Sequence, residues 1–528
     1  MKRIAVAAAC ALALAAAGTA RAGTQSEFAG HHRQVLPVVV VPSLGKTGLE
    51  QLADRGAAIG LIVPNAGPRT SAGDAFAGMV RGILYNARLA RPTDSILIHV
   101  RHASRPPRHG PAIVLVLPPQ RTIRNTHRYG IAVLGRGYHG LLVSRLTRVP
   151  GLVSMADVAR TALATRNRLG SERVDRPYAA LARLEGHVEA SRASTMAGSV
   201  LVLSLLALFA LFFPAGAPAA LAGALTANVL LGWVGGSDPV ANTVALGLSL
   251  VAAGVIGPLL LRSRPALGAV LVGVVALYAA AMAAYPPALS LAPMGPELTS
   301  RFFGVSNLIE SLLLGPALLG AALLGRRLGP VPFGAVFLLA LAAIAENRLG
   351  ADGGGALVVG VGFAVLAAGT WARSWRSVVP SLAVAILAAF ALLDLDAASS
   401  SPDHLRGALH GGVHGFVHVA VHRVPLSYDR MLEQWWLVFP GLAAVLVAVL
   451  GLRRERSRAD GAVVLALVCA LATSLLVNDS PGAVAIAGLT ALLAVEGGIV
   501  QRSLVVPVAE RLRVRLPAAS LRGIAPQE

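Results

Sequence analysis

The sequence predicts an α-helical polytopic membrane bundle of about eleven spans, preceded by an exported α/β domain with a mostly parallel sheet. Three observations predict this organisation. The mean hydropathy of the 528 residues is +0.67, and only 14% of them are charged, which is too apolar for an ordinary soluble protein. Nearly every long apolar run lies after Ser199. The N-terminus has the pattern of a secretory signal peptide.

The signal peptide is predicted over residues 1–22. Lys2 and Arg3 form its positive region, Ile4–Ala17 its apolar region, and Ala20 and Ala22 flank Arg21 in a small-residue cleavage motif. We therefore expect residues 23–195 to be exported as a domain. That domain contains no cysteine, so it must fold on its own core rather than on a disulfide framework.

The charge balance of the chain is strongly basic, with a net charge of +20. Residues 23–195 contribute 23 Lys and Arg against 10 Asp and Glu. A basic exported surface suits anionic lipid headgroups or envelope polyanions, although a codon bias toward arginine explains the composition equally well. We expect membrane lipids as partners and no nucleic acid, and the oligomeric state is left open.

Apolar runs long enough, or nearly long enough, to cross a bilayer follow the exported domain. Several are short, so the count of eleven holds to within one or two. The predicted spans are Met196–Phe213, Leu221–Gly235, Val240–Leu261, Ala266–Tyr285, Asn307–Gly325, Val331–Ala345, Gly353–Ala372, Val378–Leu393, Trp435–Leu452, Gly461–Val477 and Ala483–Val500.

Arginine clusters between these runs predict their orientation. Because residues 23–195 are exported, the first span runs inward, and alternation then places five clusters inside, as the positive-inside rule requires. We therefore expect a multi-pass protein of the cytoplasmic (inner) membrane, with residues 196–500 as its transmembrane domain and residues 501–528 as a cytoplasmic tail. The clusters are Arg262 with Arg264, Arg326 with Arg327, Arg373 with Arg376, the run Arg453–Arg458, and the tail arginines Arg502, Arg511, Arg513 and Arg522.

Ionisable and amide side chains concentrate in the loops predicted to face outward and in the adjoining helix ends. Charged groups at membrane depth are costly and mark functional sites. Glu310 is the best candidate for a buried charge, with Arg301 or Arg348 as its partner. The alternative is that these residues cap helices at a wet interface. The set comprises Arg301, Asn307, Glu310, Glu346, Asn347, Arg348, Asp352, Asp394, Asp396, Asp403, His404, Arg406, Asn478 and Asp479.

Four histidines recur at every fourth position in one outward segment: His410, His414, His418 and His422. Residues at this spacing share one face of a helix, where paired histidines can ligate zinc. Interspersed glycines weaken the helix, and interspersed valines favour an amphipathic helix lying on the bilayer. We therefore predict no metal site, while a metal-binding or a pH-sensitive element stays an alternative.

Short apolar runs alternate with helix-like stretches in the exported domain, which predicts an α/β fold. The helix-like stretches include Asp74–Leu89 and Met155–Thr165. The predicted strands are Val38–Val41, Ile59–Val63, Ile96–Val100, Ile113–Leu117 and Ile131–Leu134.

The end of this domain carries a motif. The run GLLVSRLTRVPGLV, from Gly140 to Val153, is followed by ADVARTAL, from Ala156 to Leu163. Together they resemble the C-terminal part of an alkaline-phosphatase-superfamily domain, in which a segment of type S-x-x-T-R-x-P-G-L-V leads into D-x-x-P-T-x-L. Arg160 stands where the second pattern has proline.

The resemblance implies two divalent metals held by Asp and His, with a Ser or Thr nucleophile. The sequence departs from this pattern, because the first strand leads into Pro42-Ser43-Leu44 and a later one into Pro118-Pro119, without metal-binding acids. No Asp or Glu lies between Asp94 and Asp157. We therefore predict a degenerate, metal-free domain that binds or scaffolds, with Ser43 and Thr47 as candidate relics of a nucleophile and no cofactor.

The membrane half carries a second set of motifs: RFFGVSN from Arg301 with the following Glu310, LGADGGG from Leu349, HLRG from His404 and NDSPG from Asn478. These resemble signatures of a bacterial group of multi-span membrane proteins with a phosphatase-like extracytoplasmic domain. The resemblance implies that separated outward loops act as one unit, and it supplies no reaction.

We therefore expect a cell-envelope protein that binds or processes an anionic or lipid-linked substrate, a glycan or a phospholipid, at the outer membrane–water interface. Guanidinium groups match phosphate geometry, so the substrate-binding candidates are Arg301, Asn307, Arg348, His404, Arg406 and Asn478. The catalytic candidates are Glu310, Asp352 and Asp479. Whether the membrane domain is an enzyme, such as a transferase, is left open.

Two alternatives stay open beside this interpretation. The first is a transporter or flippase, in which Asn228 and the glycines Gly353–Gly355 line a path. The second is a non-catalytic scaffold with a pseudo-phosphatase domain.

Overall fold

The computed structural model describes residues 35–64, 69–83, 98–165, 168–296, 302–346, 353–371, 458–477 and 481–514, with Leu349, Leu432, Trp435, Gly441 and Leu442. Within these ranges the chain forms an α/β domain followed by a bundle of apolar helices. The division into an α/β domain and a mostly helical membrane half is as the sequence predicts.

The α/β domain is built on a mixed, mostly parallel sheet. Its strand order is β10-β8-β2-β7-β5-β1-β4, with β9 also paired to β2, while β3 and β6 pair separately. β7 runs antiparallel to both of its neighbours, and the pairings of β1 with β4 and β5 are parallel. The strands are β1 (Val38–Val40), β2 (Ala58–Val63), β3 (Arg69–Thr70), β4 (Val100–His102), β5 (Ala112–Leu115), β6 (Ile123–Arg124), β7 (Tyr129–Leu134), β8 (Gly140–Val143), β9 (Leu152–Ser154) and β10 (Gly170–Glu172).

Helices cover both faces of the sheet, which explains the unbroken Val and Ile runs of its central strands. Helices α2 (Ala72–Arg81) and α3 (Asp157–Ala162) pack on one face, and α1 (Lys46–Asp54) packs on the other. The predicted helix over Asp74–Leu89 ends at Arg81 because Gly82 adopts φ +62° and caps it. The sequence pattern therefore predicts α2 and α3 correctly and their ends less well, and it does not predict α1.

A single helix, α4 (Pro177–Phe212), joins the domain to the bundle. Its 36 residues correspond to roughly 54 Å at 1.5 Å per residue. Leu181 and Val188 in its first half belong to the core of the α/β domain, and its second half is an apolar candidate span. The helix is continuous across the predicted boundary at residues 195–196, and it connects the α/β domain directly to the bundle. We call this helix, Pro177–Phe212, the stalk.

Seven helices among the described residues are long and apolar enough to cross a membrane, and two more are apolar but shorter. Of the predicted spans, Val378–Leu393 lies outside the described residues and Trp435–Leu452 almost wholly outside them. After α4 and a 3-10 turn at Pro214–Gly216, the helices are α5 (Ala217–Val234), α6 (Pro239–Leu260), α7 (Arg264–Ala284), α8 (Pro287–Ser290), α9 (Asn307–Leu328), α10 (Pro330–Ala345), α11 (Gly353–Trp371), α12 (Arg458–Val477) and α13 (Pro481–Val514).

The bundle has two ends, and we call the one that meets the α/β domain the proximal end and the other the distal end. Helix α9 is central, packing against α5, α7, α10, α11, α12 and α13. At the distal end, the Arg326 guanidinium of α9 contacts the Asp460 carboxylate of α12 at 3.1 Å. At the proximal end, the rings of Trp233 and Tyr285 lie 6.0 Å apart and are partly exposed, as aromatic residues at a membrane–water interface are.

Candidate functional site

The proximal end is organised by a segment that we call the strap, residues Pro286–Ser306, which connects α7 to α9; its residues 297–301 lie outside the described ranges. The strap contacts both halves of the protein. Phe302 is fully buried and belongs to the core of the α/β domain, although it lies far along the chain in the membrane half. Leu291 packs against the same core. The α/β domain is therefore docked on the bundle through the strap.

Arg192 of the stalk helix holds the strap by its backbone. Its guanidinium donates hydrogen bonds to the carbonyl oxygens of Pro296, Ala292 and Ser290, the last two at 3.4 and 3.5 Å. Its Cζ lies 5.5 Å from the centroid of the Phe302 ring. In turn, the Ser290 hydroxyl donates to the Phe302 carbonyl at 2.9 Å. One arginine thus ties the stalk, the strap and the buried phenylalanine together.

The Asn228 side chain connects the strap to the helices of the bundle. Its side-chain NH₂ donates to the Tyr278 hydroxyl at 3.1 Å, and its carbonyl oxygen accepts from the Met294 N–H at 2.8 Å. The Tyr278 hydroxyl then donates to the Leu225 carbonyl at 3.3 Å. All of these groups are buried, where a polar group needs a partner. The sequence made Asn228 a candidate for a transport path, and the structure shows it bonded within the fold.

The strap ends on the first turn of α9, where two of the predicted site residues lie. The Ser306 hydroxyl accepts from the Ile309 N–H at 3.3 Å and caps the helix. The Glu310 N–H donates to the Ser306 carbonyl at 2.8 Å, and the Glu310 residue is 0% exposed. Asn307 is half-buried and its carbonyl accepts from the Ser311 hydroxyl at 2.8 Å. A carboxylate in the first turn is favoured by the helix dipole.

The structure therefore brings Asn307 and Glu310 onto one turn and buries the glutamate, as the sequence predicted. Glu346 is half-buried at the end of α10. The other candidates lie outside the described residues: Arg301, Asn347, Arg348, Asp352, Asp394, Asp396, Asp403, His404, Arg406, Asn478, Asp479 and the histidines His410, His414, His418 and His422. In the described part of the chain, no group of three or more His, Cys, Asp or Glu could hold a metal ion.

The polar side chains of the motif at Gly140–Leu163 form hydrogen bonds inside the α/β domain. The Asp157 carboxylate accepts from the Ser144 hydroxyl at 2.6 Å and from the Ser154 N–H at 3.1 Å, and Asp157 is 1% exposed. The Thr161 hydroxyl donates to the Asp157 carbonyl at 2.7 Å. The Thr147 hydroxyl donates to the Leu152 carbonyl at 2.5 Å. These bonds fix the loop between β8 and β9, so the motif has a structural role here. Ser43 and Thr47, in contrast, are exposed at the start of α1.

Two ion pairs also connect the stalk to the sheet. The Arg128 guanidinium, at the start of β7, lies 3.2 Å from the Glu189 carboxylate and 3.7 Å from that of Glu185. Burial lowers the pKa of Arg128, while the two glutamates act in the opposite direction. Because both glutamates are largely exposed, we expect each pair to contribute no more than about 1 kcal/mol.

Sequence reasoning missed several buried or half-buried charged residues, and two of them lie in the stalk helix and the bundle. Arg192 was assigned to the end of the exported domain, whereas it lies at the docking surface. Glu496 is 9% exposed within α13, and its signal was available, because it is the one acid in the apolar run Ala483–Val500.

Comparisons of the chain with protein-family models, with curated proteins and with solved structures find no match.

Proposed function

We propose that the chain is a cytoplasmic-membrane protein of the cell envelope with about eleven spans, an extracytoplasmic α/β domain and a cytoplasmic C-terminus. The signal-peptide pattern and the alternating arginine clusters support this orientation. The contact between Arg326 and Asp460 supports it further, because it joins two helix ends that the alternation puts on the same side. In this orientation the proximal end faces outward.

The proximal end, in this proposal, binds or processes an anionic or lipid-linked substrate, a glycan or a phospholipid, at the outer membrane–water interface. The observation that carries it is Glu310, fully buried in the first turn of the central helix, which directly follows the strap. A buried carboxylate costs free energy, so residues of this kind in membrane proteins are by default candidates for function. Its burial also suits a site that is shielded from bulk water.

The roles within the site follow from side-chain chemistry. Arg301, Arg348 and Arg406 would bind phosphate or another anion, because a guanidinium offers a fork of donors that matches phosphate. Asn307, His404 and Asn478 would add neutral hydrogen bonds. Glu310, Asp352 or Asp479 would act as the base if the bound substrate reacts. No cofactor enters this proposal.

Complementation tests the proposal. Glu310→Gln, Arg301→Ala, Asp352→Asn and Asp479→Asn are introduced into the full chain and expressed in a deletion strain with an envelope defect. We expect loss of complementation at wild-type protein levels. Asp460→Asn is the matched control, because it removes a carboxylate from the distal end of the same bundle. Full complementation by all four site variants would refute the proposal.

A binding experiment gives the substrate class. The purified protein is reconstituted in phosphatidylcholine nanodiscs that contain either phosphatidylglycerol or a polyprenyl phosphate, and retained lipid is measured by native mass spectrometry. We expect retention of one of the two anionic lipids, and its loss in Arg301→Ala. Equal retention by the wild type and Arg301→Ala would contradict the phosphate-binding role.

A non-catalytic scaffold is the second candidate, and a specific observation favours it. The Ser144, Thr147 and Asp157 side chains bond inside the α/β domain, and Phe302 locks that domain to the bundle. A scaffold built on a pseudo-phosphatase, related to the bacterial group that the motifs resemble, predicts that Glu310→Gln complements fully. It also predicts that removal of the α/β domain abolishes capture of partners by crosslinking in vivo.

A further inference from the structure

We propose that Arg148 of the α/β domain is a positioning residue for Glu310. It acts through Phe302 and Phe303 of the strap, which contact the α/β domain. The functional meaning of Glu310 rests on the function proposed above, whereas the coupling itself can be measured without it. The coupled elements are a rigid loop in the α/β domain, a ring contact across the domain boundary, and the N-cap of α9.

Hydrogen bonds and close packing hold the loop that carries Arg148 in one conformation. Arg148 has φ +54°, a left-handed conformation that costs a non-glycine residue about 1 kcal/mol or more. Its N–H donates to the Ser144 carbonyl at 3.0 Å, and the Ser144 hydroxyl is bonded to Asp157. Gly151, at φ +90°, closes the loop where a Cβ would meet Leu184 of the stalk at 2.8 Å. The surrounding bonds therefore hold an arginine where the backbone favours glycine.

The ring contact crosses from the α/β domain to the strap. The Cζ atom of Arg148 lies 4.0 Å from the centroid of the Phe303 ring. A guanidinium at this distance over an aromatic face is a cation–π contact. Phe303 is 7% exposed, and the preceding Phe302 is buried in the core of the α/β domain. Both phenylalanines of the strap thus contact the α/β domain.

From Phe303 the path to Glu310 is short. Gly304, at φ +96°, turns the chain, and Ser306 then caps α9. The Glu310 N–H bonds to the Ser306 carbonyl, so the position of the cap sets the position of the first turn. The Ser306 hydroxyl also lies 3.5 Å from the Met294 carbonyl, and Asn228 holds the Met294 N–H. A shift of the α/β domain would therefore move the turn that carries Glu310.

Hydrogen–deuterium exchange of the full chain in detergent micelles tests the coupling. Arg148→Gly removes the guanidinium and relieves the backbone strain, so the α/β domain should stay folded. We expect exchange across residues 303–311 to rise by roughly three- to thirtyfold, the range that corresponds to loss of a partly desolvated cation–π contact. Peptides from β2 and β7 should keep their protection.

The chain offers a matched control in Ala164, which also has a left-handed φ of +52° but lies in the loop after α3. Ala164→Gly relieves the same kind of strain and should leave residues 303–311 unchanged. Arg148→Lys keeps a cation over the ring and should retain most of the protection.

A second variant tests the same contact by a change in the strap, so that the sequence of the α/β domain stays unaltered. Phe303→Leu keeps an apolar side chain, removes the aromatic ring, and should raise exchange in the same residues. If neither Arg148→Gly nor Phe303→Leu changes exchange across residues 303–311, the coupling is refuted. That outcome would leave the proposed function standing, which fails only through the complementation and lipid-binding results.

Discussion

Two buried carboxylates, one in each half of the molecule, show how different the two regions are. Asp157 in the α/β domain is 1% exposed and Glu310 in the bundle is 0% exposed. The Asp157 side chain ties a hydroxyl and a backbone N–H of its own loop together. The Glu310 side chain lies in the first turn of the central helix, below a strap that the other domain holds. Burial alone therefore does not distinguish a structural acid from a candidate functional one.

The polar hydrogen bonds of the two regions show the same difference. In the α/β domain, the motif residues bond to one another over a short stretch of chain, so the carboxylate serves local structure. In the bundle, by contrast, the Arg192 and Asn228 side chains bond to strap groups that lie 104 and 66 residues away in sequence. Networks of this kind place one element relative to another, which is the arrangement a site between two domains requires.

The largest effect is expected from Phe302→Ala, which tests whether the two regions are energetically independent. Truncation of a fully buried phenylalanine costs about 3–5 kcal/mol. Phe302 lies in the core of the α/β domain, so the variant should lower the melting temperature of that domain. The melting temperature is measured on the full chain in detergent, as the temperature at which the α/β domain loses its resistance to protease. An unchanged melting curve for the α/β domain would show that the docking contributes nothing to it.

Asp157→Ala should have the next largest effect on the stability of the α/β domain. The substitution leaves the buried Ser144 hydroxyl and the Ser154 N–H without their acceptor, at a cost of about 3 kcal/mol. We expect a lower melting temperature in the same protease assay. Val158→Ala, a neighbouring core truncation, is the control that separates loss of hydrogen bonds from loss of packing. A melting temperature equal to that of the wild type would argue against the structural role of Asp157.

The smallest effect is expected at the distal end. The Arg326 and Asp460 side chains are 23% and 17% exposed, and partly exposed pairs contribute about 1 kcal/mol or less. Asp460→Asn should therefore change thermal unfolding in detergent only slightly and should leave complementation intact. Loss of complementation in Asp460→Asn would indicate a functional group at the distal end of the bundle, and this would contradict a site at the proximal end.

The sequence predicted the elements well because they depend on local patterns. The period and length of apolar runs predicted the apolar helices of the described residues and the central strands, such as Asn307–Gly325 for α9 and Ile59–Val63 for β2. The isolated charge in an apolar helix gave Glu310. The strap could not be predicted, because the location of Phe302 in the core of another domain is a long-range packing result. Arg192 was missed for the same reason, since its partners lie about 100 residues away.

The ends of elements were predicted less well for a physical reason that two residues illustrate. Gly82 stops α2 early through a left-handed cap, and the apolar pattern beyond it does not show this. Pro177 starts α4 well before the apolar run begins, because the polar first half of that helix is stabilised by the sheet it packs on. Tertiary contacts therefore override composition at both places.

A paired measurement on Glu310→Gln and Asp157→Ala tests the central claim, that the proximal end of the bundle holds the site. Complementation is divided by the amount of full-length protein in the membrane for each variant. We expect normal abundance without complementation for Glu310→Gln. For Asp157→Ala we expect low abundance and only a partial loss of complementation per molecule, because the Asp157 carboxylate also fixes the loop that carries Arg148. Normal complementation per molecule in Glu310→Gln would contradict the central claim.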